Sequence, residues 1–101
     1  MNKLTYFYNS DFPNNGHEES IHVIRAYSLK NNLLYDFVDV RYMTSKIWEE
    51  YMNNFGIIMI PMICFNDKVI SFNTVSSTSE LEVYISQVDT MPCQKDFILL
   101  Y

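Results

Sequence analysis

The stretch IIMIPMICFNDKVISF, residues Ile57 to Phe72, decides how this chain folds. Without its proline it would read as one long buried strand. Pro61 forbids that, because proline has no N–H to give to the ladder of a central strand. The run therefore divides. Ile57 to Pro61 become a lead-in loop, and a strand starts at Met62. Asn66-Asp67 makes a two-residue hairpin turn, and Lys68 to Phe72 returns antiparallel.

Working outward, TSKIWEEYMNNFG (Thr44 to Gly56) predicts a helix capped by Thr44 or Ser45 and stopped by Gly56. Its apolar face is Ile47, Trp48, Tyr51, Met52 and Phe55, which predicts that Trp48 and the helix aromatics belong to the core. LLYDFVDV (Leu33 to Val40) reads as a strand. HEESIHVIRAYSLKN (His17 to Asn31) reads as a helix that buries Ile21, Ile24 and Ser28, with Val23 and Tyr27 beside them. Asn15 and Glu18 have the spacing of a capping box at its start. KLTYFYNS (Lys3 to Ser10) is a strand buried on both faces. Strand, helix and strand with short links imply a right-handed βαβ unit. Beyond the hairpin, SSTSELEVYISQV (Ser76 to Val88) predicts a last helix, capped through Ser77 with Glu80 or Ser79 with Glu82. The order is β-α-β-α-β-β-α, followed by the tail DTMPCQKDFILLY.

Composition narrows the function classes. The chain has 101 residues, enough for one domain with one modest core, and its 49% hydrophobic content argues against disorder. A net charge of −5 with scattered acids disfavours nucleic acid, whose backbone needs clustered Lys and Arg. No run is long enough to span a membrane. Two cysteines far apart, Cys64 and Cys93, with no signal peptide, predict reduced thiols and a cytoplasmic protein. Ten asparagines hint at an AT-rich genome, and with the small size at a phage or viral accessory factor acting in host cytoplasm.

The element order, with a proline just before the third strand, resembles the thioredoxin fold in its glutaredoxin-like form. The resemblance covers roughly residues 3 to 88. It implies an α/β domain over residues 1–90 with a four-stranded mixed sheet and helices on both faces; the C-terminal tail over 91–101 is expected to pack on the domain or to serve for contacts, with packing favoured. In glutaredoxins the first strand leads into Tyr-x-x-x-Cys-Pro-Tyr-Cys, and here YNSDFPNN stands at that place. IIMIPMICFNDKVIS resembles the segment Thr-Val-Pro-x-x-Phe-x-Asn-Gly-x-x-Ile-Gly-Gly. Pro61 matches the proline that is cis in that fold, and Phe65, Asn66 and Ile70 match as well.

The departures fall on the chemistry. Phe12 takes the position of the nucleophilic cysteine, Pro13 keeps the proline, and Asn14 and Asn15 replace the tyrosine and second cysteine. Phe12 cannot ionise or attack a disulfide. Ser71-Phe72 replaces the Gly-Gly that lets a ligand approach the backbone, and Ile58 stands where a basic residue often meets a carboxylate. Glutathione is thus not expected, and neither is any other cofactor or metal. His17 and His22 are five apart, the wrong spacing for two ligands on one helix face. His17 reads as a solvated loop histidine, and Cys64 as a small buried hydrophobe.

The expectation is a redox-inactive binding module with a protein partner. Its surface would comprise Phe12, Pro13, Asn14, Asn15, Met59, Ile60, Pro61 and Phe72. Two alternatives stay open. One is a divergent thiol oxidoreductase using Cys64 or Cys93. The other is a structural or assembly protein, such as a homodimer, built through Phe97, Ile98, Leu99, Leu100 and Tyr101.

Overall fold

The computed structural model describes residues 2–88. Within them the elements are β1 (Lys3–Tyr8), α1 (His17–Lys30), β2 (Leu34–Asp39), a short 3-10 turn (Val40–Tyr42), α2 (Ser45–Phe55), β3 (Met62–Phe65), β4 (Lys68–Ser71) and α3 (Thr78–Ser86). They form a four-stranded mixed sheet in the order β2-β1-β3-β4. β1 pairs parallel with β2 and antiparallel with β3, and β3 pairs antiparallel with β4. The expected element order and mixed sheet are therefore present. Cys93 and the tail residues Phe97 to Tyr101 lie outside the described residues.

β1 is central and alternates strictly. Leu4 and Tyr6 point into the larger core with Ile63 and Ile70, closed by Ile24 and Tyr27 of α1 and Leu81 of α3. Phe7 points to the other face, into a smaller core with Met62, Cys64, Val69 and Phe55 of α2. Helices thus cover both faces, two on one and one on the other. The period of two along each strand feeds both cores at once, which is why β1 shows no polar face.

Caps explain most of the helix ends. Thr44 accepts from the N–H of Ile47, and Gly56, with φ 81°, takes the left-handed position that stops α2. Ser77 accepts from the N–H of Glu80. The Glu80 carboxylate reaches back to Ser76, accepting from both its N–H and its hydroxyl. These bonds, led by the Ser76 N–H, hold the Glu80 pKa below its usual value. Asn31 and the left-handed Asn32 end α1, where the Asn31 N–H and side chain both donate to the Tyr27 carbonyl.

Two expectations need correction. α1 does not start on an Asn15–Glu18 box: Gly16 is the N-cap, with φ 85° and no side-chain cap bond. The Asn15 carbonyl accepts instead from the Thr74 hydroxyl at 3.1 Å. A Cβ on Gly16 would meet that same hydroxyl at 3.0 Å, so the loop approaches Thr74 as only glycine allows. Trp48 is not core either. It is 44% exposed and Ile47 is 39% exposed, and Phe55 is the only fully buried residue of α2. A helical stripe shows which residues share a face, but not how much of that face a neighbour covers.

One polar group in the larger core is unsatisfied. Ser28 is fully buried, and its hydroxyl has no hydrogen-bond partner among the described residues. Ser20, equally buried, donates to the Val75 carbonyl and accepts from the Val75 N–H. The contrast gives a sign. Ser28→Ala removes an unpaired oxygen and improves helix propensity, so it raises unfolding free energy by roughly 0.5–1.5 kcal/mol. A urea midpoint that stays or falls would mean that the hydroxyl has found a partner.

Candidate functional site

Strand register gathers the loops. Tyr8 pairs with Asp39 and Phe7 with Met62, while Ser71 pairs with Ile63. β1, β2 and β4 therefore finish, and β3 begins, at one end of the sheet. The loops that follow Tyr8, Asp39 and Ser71, and the one that precedes Met62, all emerge there.

The loop after β1 is tied on two sides. The Asp39 carboxylate accepts from the N–H groups of Ser10 and Arg41, at 3.2 and 3.1 Å. Burial works against its charge, but these bonds and the nearby guanidinium outweigh it and lower its pKa. Arg41 pairs with Asp11 at 2.8 Å and lies over the Tyr42 ring, 5.1 Å from its centroid. On the other side Thr74 holds Asn15. An Asx turn, in which the Asn9 side chain accepts from the Asp11 N–H, bends the tip.

These ties present Phe12 outward. It is 78% exposed, while Tyr42 is 70%, Met59 51% and Phe72 39% exposed. Four large apolar side chains thus stand in solvent around one sheet end. Pro13, Asn14 and Asn15 are exposed beside Phe12, and Pro61 is half-buried with a cis Ile60–Pro61 peptide. Ile60 is half-buried beside it, with part of its side chain packed against the cluster of Phe7 and Met62. Sequence reading missed Tyr42. Its signal was available, since a parallel β2 must finish beside Tyr8, which puts the residues after Asp39 at this end.

His17 is also not a solvated loop residue. It opens α1, its Nδ1 and the Tyr6 hydroxyl are hydrogen-bonded at 3.0 Å, and its ring packs 4.7 Å from that of Tyr8. Burial pushes the Tyr6 hydroxyl up to about 12, which keeps it protonated at neutral pH. The trio fills the base of the loop as packing.

Cys64 is fully buried on β3, and burial, with the Asp67 charge, pushes its thiol up to about 12. A reactive cysteine needs the opposite environment. In a Cys93→Ser variant, Cys64 should react with a thiol reagent on the order of 10³-fold more slowly in the folded than in the unfolded chain. Comparable rates would return Cys64 to the list of nucleophiles.

Among the described residues no helix is long and apolar enough to cross a membrane. Comparison of the chain with protein-family models, curated proteins and solved structures finds no match.

Proposed function

We propose that this chain is a glutaredoxin-like member of the thioredoxin-fold superfamily, without redox chemistry, that binds a protein partner through the sheet end carrying Phe12. The fold assignment is supported by the sheet order β2-β1-β3-β4 and by Pro61 at the entry to β3. One observation carries the functional reading. Phe12 occupies the loop position that the resemblance gives to a thiol, and it stands in solvent with Tyr42, Met59 and Phe72 around it. Exposed apolar side chains grouped in this way cost solubility and suit a surface that a partner covers. The form of the oxidoreductase reading that uses Cys64 is weakened, because Cys64 offers neither access nor a thiolate, while Cys93 lies outside the described residues.

A photoreactive amino acid placed at position 12 or 42 tests this. In extracts of the cell in which the protein acts, both positions should trap the same protein. Leu29, 68% exposed but remote on α1, serves as the control. Different products from positions 12 and 42, or equal trapping from position 29, would remove this sheet end as the interface.

A further inference from the structure

At the sheet end opposite Phe12, a surface cavity of about 450 Å³ opens between the start of β1, the last turns of α2 and the β3–β4 turn. Thr5, Tyr51, Asn54, Phe55 and Asp67 line it. Its rim is fixed. The Asn66 side chain accepts from the Lys3 N–H at 3.0 Å and donates to the Asn2 side chain at 3.2 Å, which ties the hairpin to the start of β1.

The cavity holds unused polar groups. Thr5 lies two residues before Phe7, on the face of β1 that α2 covers. It is 3% exposed, and its hydroxyl makes no hydrogen bond among the described residues. The Asn54 and Asp67 side chains likewise have no hydrogen bond or ion pair there. A buried hydroxyl is ordinarily paired, so one that lines a cavity leaves a contact for whatever enters it.

The charge at this place is negative. Asp67 is in the wall, and the Tyr51 hydroxyl, whose pKa burial raises, is raised further by the charges of Asp36 and Glu50. Lys3 is the one cation in the wall, and it is already paired with Asp36 at 3.5 Å. α2 also ends here, at Phe55, with no basic residue in its last turn to meet the negative end of its dipole. The Tyr51 and Phe55 rings stack at 5.9 Å and give the cavity an aromatic side. A carboxylate, neutral oxygen acceptors and aromatic rings in a negative field match an organic ammonium ion. The same field disfavours an anion.

We propose that this cavity binds a compact organic cation carrying a primary ammonium group. Asp67 is its counter-ion, Thr5 and Asn54 are its neutral oxygen acceptors, and Tyr51 and Phe55 lie against its carbon chain. The site stands at the far end of the sheet from Phe12, so a small cation and a protein partner have separate places on the domain.

Amide NMR titration of the full chain tests this, with the diamine putrescine as probe and butanediol as its uncharged counterpart. Putrescine should bind with a dissociation constant of about 1 mM, and the shifts should centre on Thr5, Tyr51, Asn54 and Asp67. Butanediol should leave these amides in place. Thr5→Val keeps the shape and removes only the hydroxyl. It should weaken putrescine binding about three- to tenfold with a urea midpoint no lower than that of the parent chain. Asp67→Asn, which suits a turn as well as aspartate does, should weaken it about tenfold or more. No shifts with putrescine overturn the proposal, as does equal binding of butanediol. Shifts of the same size at Glu18 and Glu19 also overturn it, because the diamine then only screens the acidic surface. So does unchanged affinity in both variants.

Discussion

Phe7→Ala lowers the free energy of unfolding by about 3–5 kcal/mol, and α2 loses amide protection before α1 does. Phe7 has no exposed surface and sits at the middle of the smaller core. Its ring meets Tyr51 edge-on at 5.1 Å and Phe55 edge-on at 5.6 Å, so it holds both aromatic anchors of α2. β1 is pinned between β2 and β3, and the backbone cannot move in to fill the void. A domain of this size has about 5–15 kcal/mol in total, so the loss is a large share. The larger core shares none of these contacts. Ile24 and Leu81 pack on the opposite face of the sheet, which is why α1 and α3 should outlast α2. Urea titration gives the magnitude, and hydrogen exchange by residue gives the order. A loss below about 1 kcal/mol, or equal loss of protection in all three helices, would show that Phe7 does not anchor α2.

That same asymmetry marks the limit of what the sequence discloses. The strands were legible because their constraints are local. Pro61 cannot sit inside β3, Asn66-Asp67 turns the hairpin, and β1, rich in β-branched and aromatic residues, needs cover on both sides. Thr44, Gly56 and Ser77 set helix ends by chemistry that acts within a few residues. Long-range facts were not legible. Gly16 took the cap from Asn15 because Thr74, far along the chain, approaches it. His17 is held by Tyr6 and Tyr8 from a neighbouring strand. Ile60 and Met59 are adjacent, yet one packs in part against the smaller core and the other faces solvent. The candidate site shows the same division. Position 12 was legible as a loop tip, but Tyr42 joins it only through the parallel register of β2 and the bridge from Arg41 to Asp11.

Phe12→Asp is expected to weaken the partner trapped at positions 12 and 42 by about 30- to 1,000-fold, or about 2–4 kcal/mol, while the urea midpoint stays within experimental scatter. The two halves of this result follow from one observation. At 78% exposed, Phe12 contributes little to either core, so its replacement removes almost no buried area. An apolar ring that stands free in the unbound protein gains its burial only when a partner covers it, and central aromatic anchors carry the largest share of interface energy. Aspartate adds a charge beside Asp11, and any apolar pocket on the partner would have to desolvate it. Arg41 is already engaged with Asp11, which leaves the new carboxylate without a ready cation. Phe72→Asp separates a local effect from a site-wide one. Phe72 reaches the same sheet end from β4, so a shared interface predicts a loss there too, though smaller because Phe72 is only 39% exposed. If Phe12→Asp lowers stability by more than about 1 kcal/mol, the ring serves the fold rather than a partner. If binding survives both substitutions with stability intact, the partner docks elsewhere on the domain.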